Sequence, residues 1–228
     1  GDKFLARQDF PQADAVNGGT PAEARQALSR ISRDIIITDW HYTAPHAGTT
    51  RHLVEQGFEV HIATATNIYW HDSIPLSRGH HWIAETIDNA VAAGATGAFN
   101  CNWELYRGAF FENYWFFEGL AAERQWSDRP HDFAGFGARF AARFWGVDRD
   151  YYSDMAALME ATPTCRRRIF LDASVMADGG LGQAQFDYIG IANYLDSQLE
   201  TFRRAARRNA DTLRMLDMPA LIIRYVGT

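Results

Sequence analysis

The chain has 228 residues, 47% hydrophobic and 14% aromatic, enough apolar material for one large domain or one and a half smaller ones and too much for a disordered chain. A net charge of -6 excludes a chain-wide basic field for neutralising phosphates, and no apolar run approaches the ~20 residues that span a bilayer, so neither nucleic acid nor membrane is expected as a partner. Two cysteines, Cys101 and Cys165, make neither a disulfide framework nor a thiolate metal site. The opening GDKFLARQDF lacks a signal-peptide pattern, and the first methionine is Met155, so the chain reads as part of a longer protein.

Residues 1–19 carry little regular pattern, with Asp2 at their head and Asn17-Gly18-Gly19 as a turn signal. Thr20-Pro21-Ala22-Glu23 combines an N-cap, a proline at the first helical position and a glutamate placed to complete a capping box, which predicts a helix to about Ile31. Asp34 to Trp40, DIIITDW, is β-branched and apolar on both faces. That suits a strand of a parallel sheet covered by helices, its end presenting Asp39, Trp40, His41 and Tyr42.

Thr49 or Thr50 is placed to cap a short helix through Gln56, with Gly57 as its stop. A strand from Phe58 to Ala65 follows, and its downstream loop carries Asn67, Tyr69, Trp70, His71 and Asp72. A helix from His80 to Ala93 ends at Gly94. The next strand opens the stretch Gly97 to Tyr106, in which Ala98, Phe99 and Cys101 are expected in the core. Asn100, Asn102, Trp103, Glu104 and Tyr106 would then form a polar and aromatic rim. Three consecutive β/α units are thus predicted.

After Gly108 the segment AFFENYWFFEGLAAERQW has helical length, with aromatics on more than one face. Phe133 to Trp145 places Phe133, Phe136, Phe140 and Phe144 near one helical face, a core-packing pattern. Beyond that, helices are predicted over Arg149 to Thr162 and Tyr188 to Leu216. The arginines of the latter segment read as a solvated face paired with Glu200 and Asp211.

In parallel β/α sheets and barrels, functional groups gather at the carboxyl ends of the strands. Trp40, Tyr69, Trp70 and Trp103 offer flat apolar faces for sugar rings there, and Asp39, Asn100, Asn102 and Glu104 offer groups for hydroxyls. His41, His46, His61, His71, His80 and His81 show neither HxH nor HExxH spacing, so no metal is expected. The chain has no GxSxG elbow, GxGxxG or GxxxxGK[ST], which leaves a serine hydrolase and a nucleotide cofactor without support; no cofactor is expected.

The succession GD, IIITDWHY, FEVHIATATNIYWHD and GATGAFNCNWELY, followed by GLAAERQWS, resembles the carboxyl-terminal half of a glycoside hydrolase family 20 catalytic domain, the β-N-acetylhexosaminidases. The similarity covers roughly residues 1–146. Its most specific part is Trp103-Glu104 with Ala122-Glu123-Arg124-Gln125-Trp126-Ser127, where the family has Trp-Gly-Glu and Ala-Glu-Arg-Leu-Trp-Ser. The resemblance implies the last three strands of a (β/α)8 TIM barrel, with Asp2 trailing a fifth strand; residues 147–228, beyond the similarity, read from their own pattern as a mostly helical extension.

It also implies substrate-assisted retaining hydrolysis of terminal N-acetylhexosamine. In that chemistry an aspartate orients the substrate's acetamide and the adjacent glutamate protonates the leaving group. The pair belongs to a fourth strand upstream, so no catalytic residue is expected in this chain. By resemblance, Trp40 and Trp103 would wall the acetamido group, Tyr69 would hydrogen-bond it and Glu104 would hold the outer hydroxyls. Asp39, Trp70 and Asn102 complete the candidate substrate-binding set, and Asp2, His41, Asn67 and Asn100 are further candidates.

The expected partners are a carbohydrate substrate and the amino-terminal half of the barrel, with self-association of the fragment through open sheet edges. A non-catalytic carbohydrate-binding or scaffold barrel and a metal-dependent barrel hydrolase stand as alternatives.

Overall fold

A computed structural model describes residues 4–14, 16–42, 46–66, 76–102, 115–127, 129, 132–149 and 188–216. They fall into two compact units interleaved along the chain. The first holds the described residues up to 66 with 79–102 and 117–129. The second holds 76–78, 115–116 and those from 132 onward.

The first unit begins its regular structure at helix α1 (Pro21–Ser29), where the predicted capping box forms. Glu23 N–H donates to the Thr20 hydroxyl at 3.3 Å, and Glu23 Oε2 accepts from Thr20 N–H at 2.7 Å. Strand β1 (Ile36–Trp40), helix α2 (Gly48–Glu55), strand β2 (Glu59–Thr66), helix α3 (Leu76–Ala92) and strand β3 (Gly97–Asn102) follow. The strands make a three-stranded sheet in the order β1-β2-β3, parallel throughout. This is the arrangement that consecutive β/α units build, because parallel neighbours need a crossover long enough to hold a helix.

Gly57 and Gly94 take φ of 83° and 98° just beyond the ends of α2 and α3, the left-handed turn that lets each chain re-enter the sheet. The central strand is the most apolar part of the unit, with Val60, Ile62 and Ala63 buried. Val60 joins Leu5, Val16, Leu28, Ile37, Leu53 and Phe58 in one cluster, which fastens the irregular residues before α1 to the sheet.

Several details differ from expectation, among them the start of α3 at Leu76 and not at His80. Of the β3 residues expected in the core, Ala98 and Cys101 are half-buried and Phe99 is 40% exposed, and among the described residues β3 pairs on one side only. Helix α2 starts at Gly48 with Ala47 at its N-cap and no side-chain cap, so Thr49 and Thr50 lie inside its first turn. Their hydroxyls are committed elsewhere.

Helix α4 (Trp115–Trp126) has residues in both units. In the first unit its Arg124 guanidinium pairs with Asp88 of α3, and Phe117, Leu120 and Ala121 are buried. In the second unit Phe116 stands edge-on to Phe133, Phe136 and Phe140 at 5.7, 4.9 and 5.3 Å between ring centroids. Those phenylalanines belong to helix α5 (Phe133–Phe140), which continues as a π-helical turn over Ala141–Trp145, and Phe140 stacks on Phe144 at 5.0 Å. The core-packing face predicted for this segment is therefore present.

Helix α6 (Tyr188–Ala205) carries the Glu200–Arg204 pair at 2.9 Å but stops short of the predicted Leu216. A 3-10 helix, Ala210–Leu216, takes over after a break at which Asn209 has φ of 50°. Tertiary bonds account for the break. Arg207 N–H donates to Trp145 O at 2.8 Å, and the Asn209 side-chain amide donates to Phe144 O at 2.8 Å, so the chain turns to satisfy the open carbonyls of the π-helical turn. The helix predicted over Arg149 to Thr162 lies outside the described residues, apart from Arg149 itself.

Candidate functional site at the carboxyl ends of the strands

Side chains alternate across a strand, so the register sorts this sheet into two faces. Ile37, Asp39, Val60, Ile62, Thr64, Thr66, Ala98, Asn100 and Asn102 share one. Thr38, Trp40, His61, Ala63, Ala65, Gly97, Phe99 and Cys101 share the other. Helices α2 and α4 meet the first face, as the polar contacts of Asp39 and Asn100 show.

Asp39 is 1% exposed, and a buried carboxylate is costly unless donors surround it. Its Oδ2 accepts hydroxyls from Thr49 at 2.8 Å and Thr50 at 2.7 Å, and His41 Nε2 lies 3.2 Å away. His41 Nε2 is also 2.9 Å from Thr49 Oγ1, whose own proton is committed to Asp39. That hydroxyl is therefore an acceptor for the imidazole, which assigns a proton to Nε2.

Burial alone would raise the Asp39 carboxyl, but the hydrogen bond and charge of His41, then the Thr50 and Thr49 hydroxyls, together hold it below the usual aspartate range. The His46 ring lies 5.3 Å from that of His41. Burial, reinforced by His41, pushes His46 below the ordinary histidine range, against the opposing pull of Asp39 and Asp14. Among the described residues Asp39 Oδ1, His41 Nδ1 and His46 Nδ1 are buried without a hydrogen-bond partner, yet no three His, Cys, Asp or Glu side chains gather in a way that holds a metal ion.

Asn100 anchors the other end of the same face. Its amide oxygen accepts the Thr64 hydroxyl at 2.8 Å, and its amide nitrogen donates to Thr66 Oγ1 and to Glu118 Oε1, each at 2.7 Å. Glu118 Oε1 also accepts the Thr66 hydroxyl at 3.2 Å. Four side chains from β2, β3 and α4 thus close one partly buried network. Such networks specify register, because a one-residue slip of β3 would turn Asn100 to the other face and break its three bonds.

On the opposite face the Trp40 ring sits 4.9 Å from that of Tyr42 at an interplanar angle of 39°. The Tyr42 hydroxyl donates to Cys101 Sγ at 3.6 Å. Lower on this face the His61 ring lies over Gly97, where an added Cβ would meet it at 2.6 Å. Trp40, Tyr42 and Cys101 are only partly buried, so this end of the sheet combines aromatic surface with access.

Of the candidates named from sequence, Asp39, Trp40, His41, Asn100 and Asn102 are described; Asp2, Asn67, Tyr69, Trp70, Trp103 and Glu104 lie outside the described residues. Asp39, His41 and Asn100 are held in bonds that tie helices to strand ends. Trp40 stands on the other face, and Asn102 is exposed at the last position of β3. Sequence reasoning gave no role to Glu118 or Tyr42 and read Thr49 and Thr50 as cap candidates. The adjacent threonines after a strand with aspartate as its penultimate residue were the available signal for the Asp39 clamp, whereas a glutamate within an aromatic helix gave none for Glu118.

Comparison of the chain with known protein families, curated proteins and solved structures finds no match. Among the described residues no helix is long and apolar enough to cross a membrane.

Proposed function

We propose that this chain forms the sugar-gripping part of a β-N-acetylhexosaminidase-like glycosidase, in a (β/α)8 barrel whose orienting aspartate and proton-donating glutamate lie outside it. The observation that carries the reading is the run of parallel strands joined through helices, with Trp40 and Tyr42 presenting partly open aromatic faces at a carboxyl end. That is where a barrel glycosidase builds its pocket, and flat rings suit the apolar face of a pyranose.

In this reading Trp40 and Trp103 wall the acetamido group, Tyr69 hydrogen-bonds it, and Glu104 binds outer hydroxyls. Trp70 and Asn102 line the rim. Asp39, with His41, serves by clamping the first turn of α2 to the end of β1, since its Oδ2 already accepts two hydroxyls. Hydrolysis proceeds by attack of the substrate's own acetamido oxygen on the anomeric carbon, with retention.

The test compares the chain alone with a longer protein that contains it. The chain alone should bind N-acetylglucosamine weakly and leave aryl N-acetylglucosaminides intact, while the longer protein turns them over. Turnover by the isolated chain would overturn the placing of the catalytic pair. Failure of the longer protein to bind N-acetylglucosamine would overturn the reading itself.

A further inference from the structure

Trp40 stands beside Ala63 in the register and Ala63 beside Phe99; one step on, Ala65 stands beside Cys101. The ladder continues past β1, because His41 N–H donates to Ala63 O at 3.0 Å, and this carries Tyr42 to the level of Ala65. Strands β1 and β3 are two strand spacings apart, about 9–10 Å. Since the Tyr42 hydroxyl reaches Cys101 Sγ at 3.6 Å, the phenol ring crosses the central strand over Ala65.

The crossing has consequences for both neighbours. Ala63 and Ala65 are buried although neither methyl can shield itself, and larger side chains there would block the phenol's path. Tyr42 is held at its other end as well, its backbone N–H donating to Asp14 Oδ2 at 2.6 Å. A ring tied at backbone and hydroxyl is a fixed surface, and Trp40 leans on it at 4.9 Å and 39°. Trp40 itself is only partly buried, so core packing does not set its tilt on every side.

We infer that Tyr42 is a positioning residue, a strap from β1 across β2 to Cys101 on β3 that sets the Trp40 ring at the angle a sugar's N-acetyl group meets. The inference rests on the reading of Trp40 as a wall of that pocket. Tyr42 acts through Trp40, and Cys101 acts through Tyr42 as the acceptor of its hydroxyl proton.

The test uses the longest protein containing this chain, with two readouts. One is the indole N–H resonance of Trp40, assigned by Trp40→Phe. The other is the ratio of N-acetylglucosamine to glucose affinity, which a general loss of stability would not move selectively. Tyr42→Phe and Cys101→Ala should each shift the resonance and lower the ratio by about tenfold, and Cys101→Ser, which restores an acceptor, should recover both. A resonance and ratio unmoved by both Tyr42→Phe and Cys101→Ala would overturn the strap. If Trp40→Ala leaves the ratio as in the unmodified protein, the pocket reading fails, and the resonance still decides whether Tyr42 positions Trp40.

Discussion

Thr50, inside the first turn of α2, donates its hydroxyl to Oδ2 of Asp39 at 2.7 Å and so stitches a helix start to the penultimate residue of β1. Both side chains are buried, and removing the hydroxyl deletes a charge-assisted bond with no water at hand to replace it. Thr50→Val keeps the shape and should cost about 1–3 kcal/mol in urea unfolding. An unchanged midpoint would show that Thr49 and His41 satisfy the carboxylate without it.

Acid should weaken the fold in two stages. Folded His46 holds its proton less tightly than unfolded His46, so below about pH 6.5 the unfolded state binds more protons and stability declines from there downward. Asp39 has its folded value depressed, so its contribution is present above its unfolded value near 3.8 and is lost as pH falls through the lower folded one. His46→Gln should remove the upper stage and leave the lower. Urea midpoints followed from pH 8 to pH 3 would read both, and a variant that keeps the decline just below pH 6.5 would contradict the assignment.

Gly97 and His61 face one another across β2 and β3, and a methyl on Gly97 would meet the His61 ring at 2.6 Å. Gly97→Ala should cost roughly 1–3 kcal/mol through overpacking. In a His61→Ala background the same change should be close to neutral, a coupling that a double-mutant cycle measures directly. Additive losses would mean that the backbone, and not the ring, resists the substitution.

The Trp145 indole N–H donates to Thr212 Oγ1 at 3.0 Å while its ring meets Phe202 edge-on at 5.0 Å. Thr212→Val should strand a buried donor and cost about 1–3 kcal/mol. Trp145→Ala, which also empties a fully buried volume, should cost about 3–5 kcal/mol. Thermal unfolding of the two variants ranks them, and equal losses would leave the ring's packing without a role.

Asn100 and Glu118 meet at 2.7 Å, and Asn100→Asp would set a carboxylate against a carboxylate there. It should destabilise more than Asn100→Ala, because like charges add repulsion to the lost bonds. The order of the two urea midpoints checks this, and the reverse order would mean that water relieves the pair.

Much of the local architecture was legible from residues. Thr20 and Glu23 carry a capping box whose parts lie three residues apart, and Gly57 and Gly94 mark stops made through a left-handed backbone. The β-branched run ending at Trp40 and the strand through Ala65 are both legible as strands and pair in parallel, although β1 leaves Ile36 exposed where both of its faces were expected to be covered. Each of these signals acts over a few residues, within reach of sequence alone.

Local residue patterns carried the order of strands and helices and the gathering of polar and aromatic residues after the strands, but not the starts of α2 at Gly48 and α3 at Leu76. Tertiary structure alone decided which face each group serves. Phe99 reads as core in any apolar strand, yet its exposure depends on how the sheet is covered, a property of neighbours far along the chain. Asp39 and Trp40 are adjacent residues with the same claim to a ligand, and the pleat sends one to the Thr49 and Thr50 hydroxyls and the other to Tyr42. Glu118 finds Asn100 eighteen residues away, and Tyr42 finds Cys101 across a whole strand. Hydrogen bonds of that range are set by register and helix packing, which no local spacing encodes.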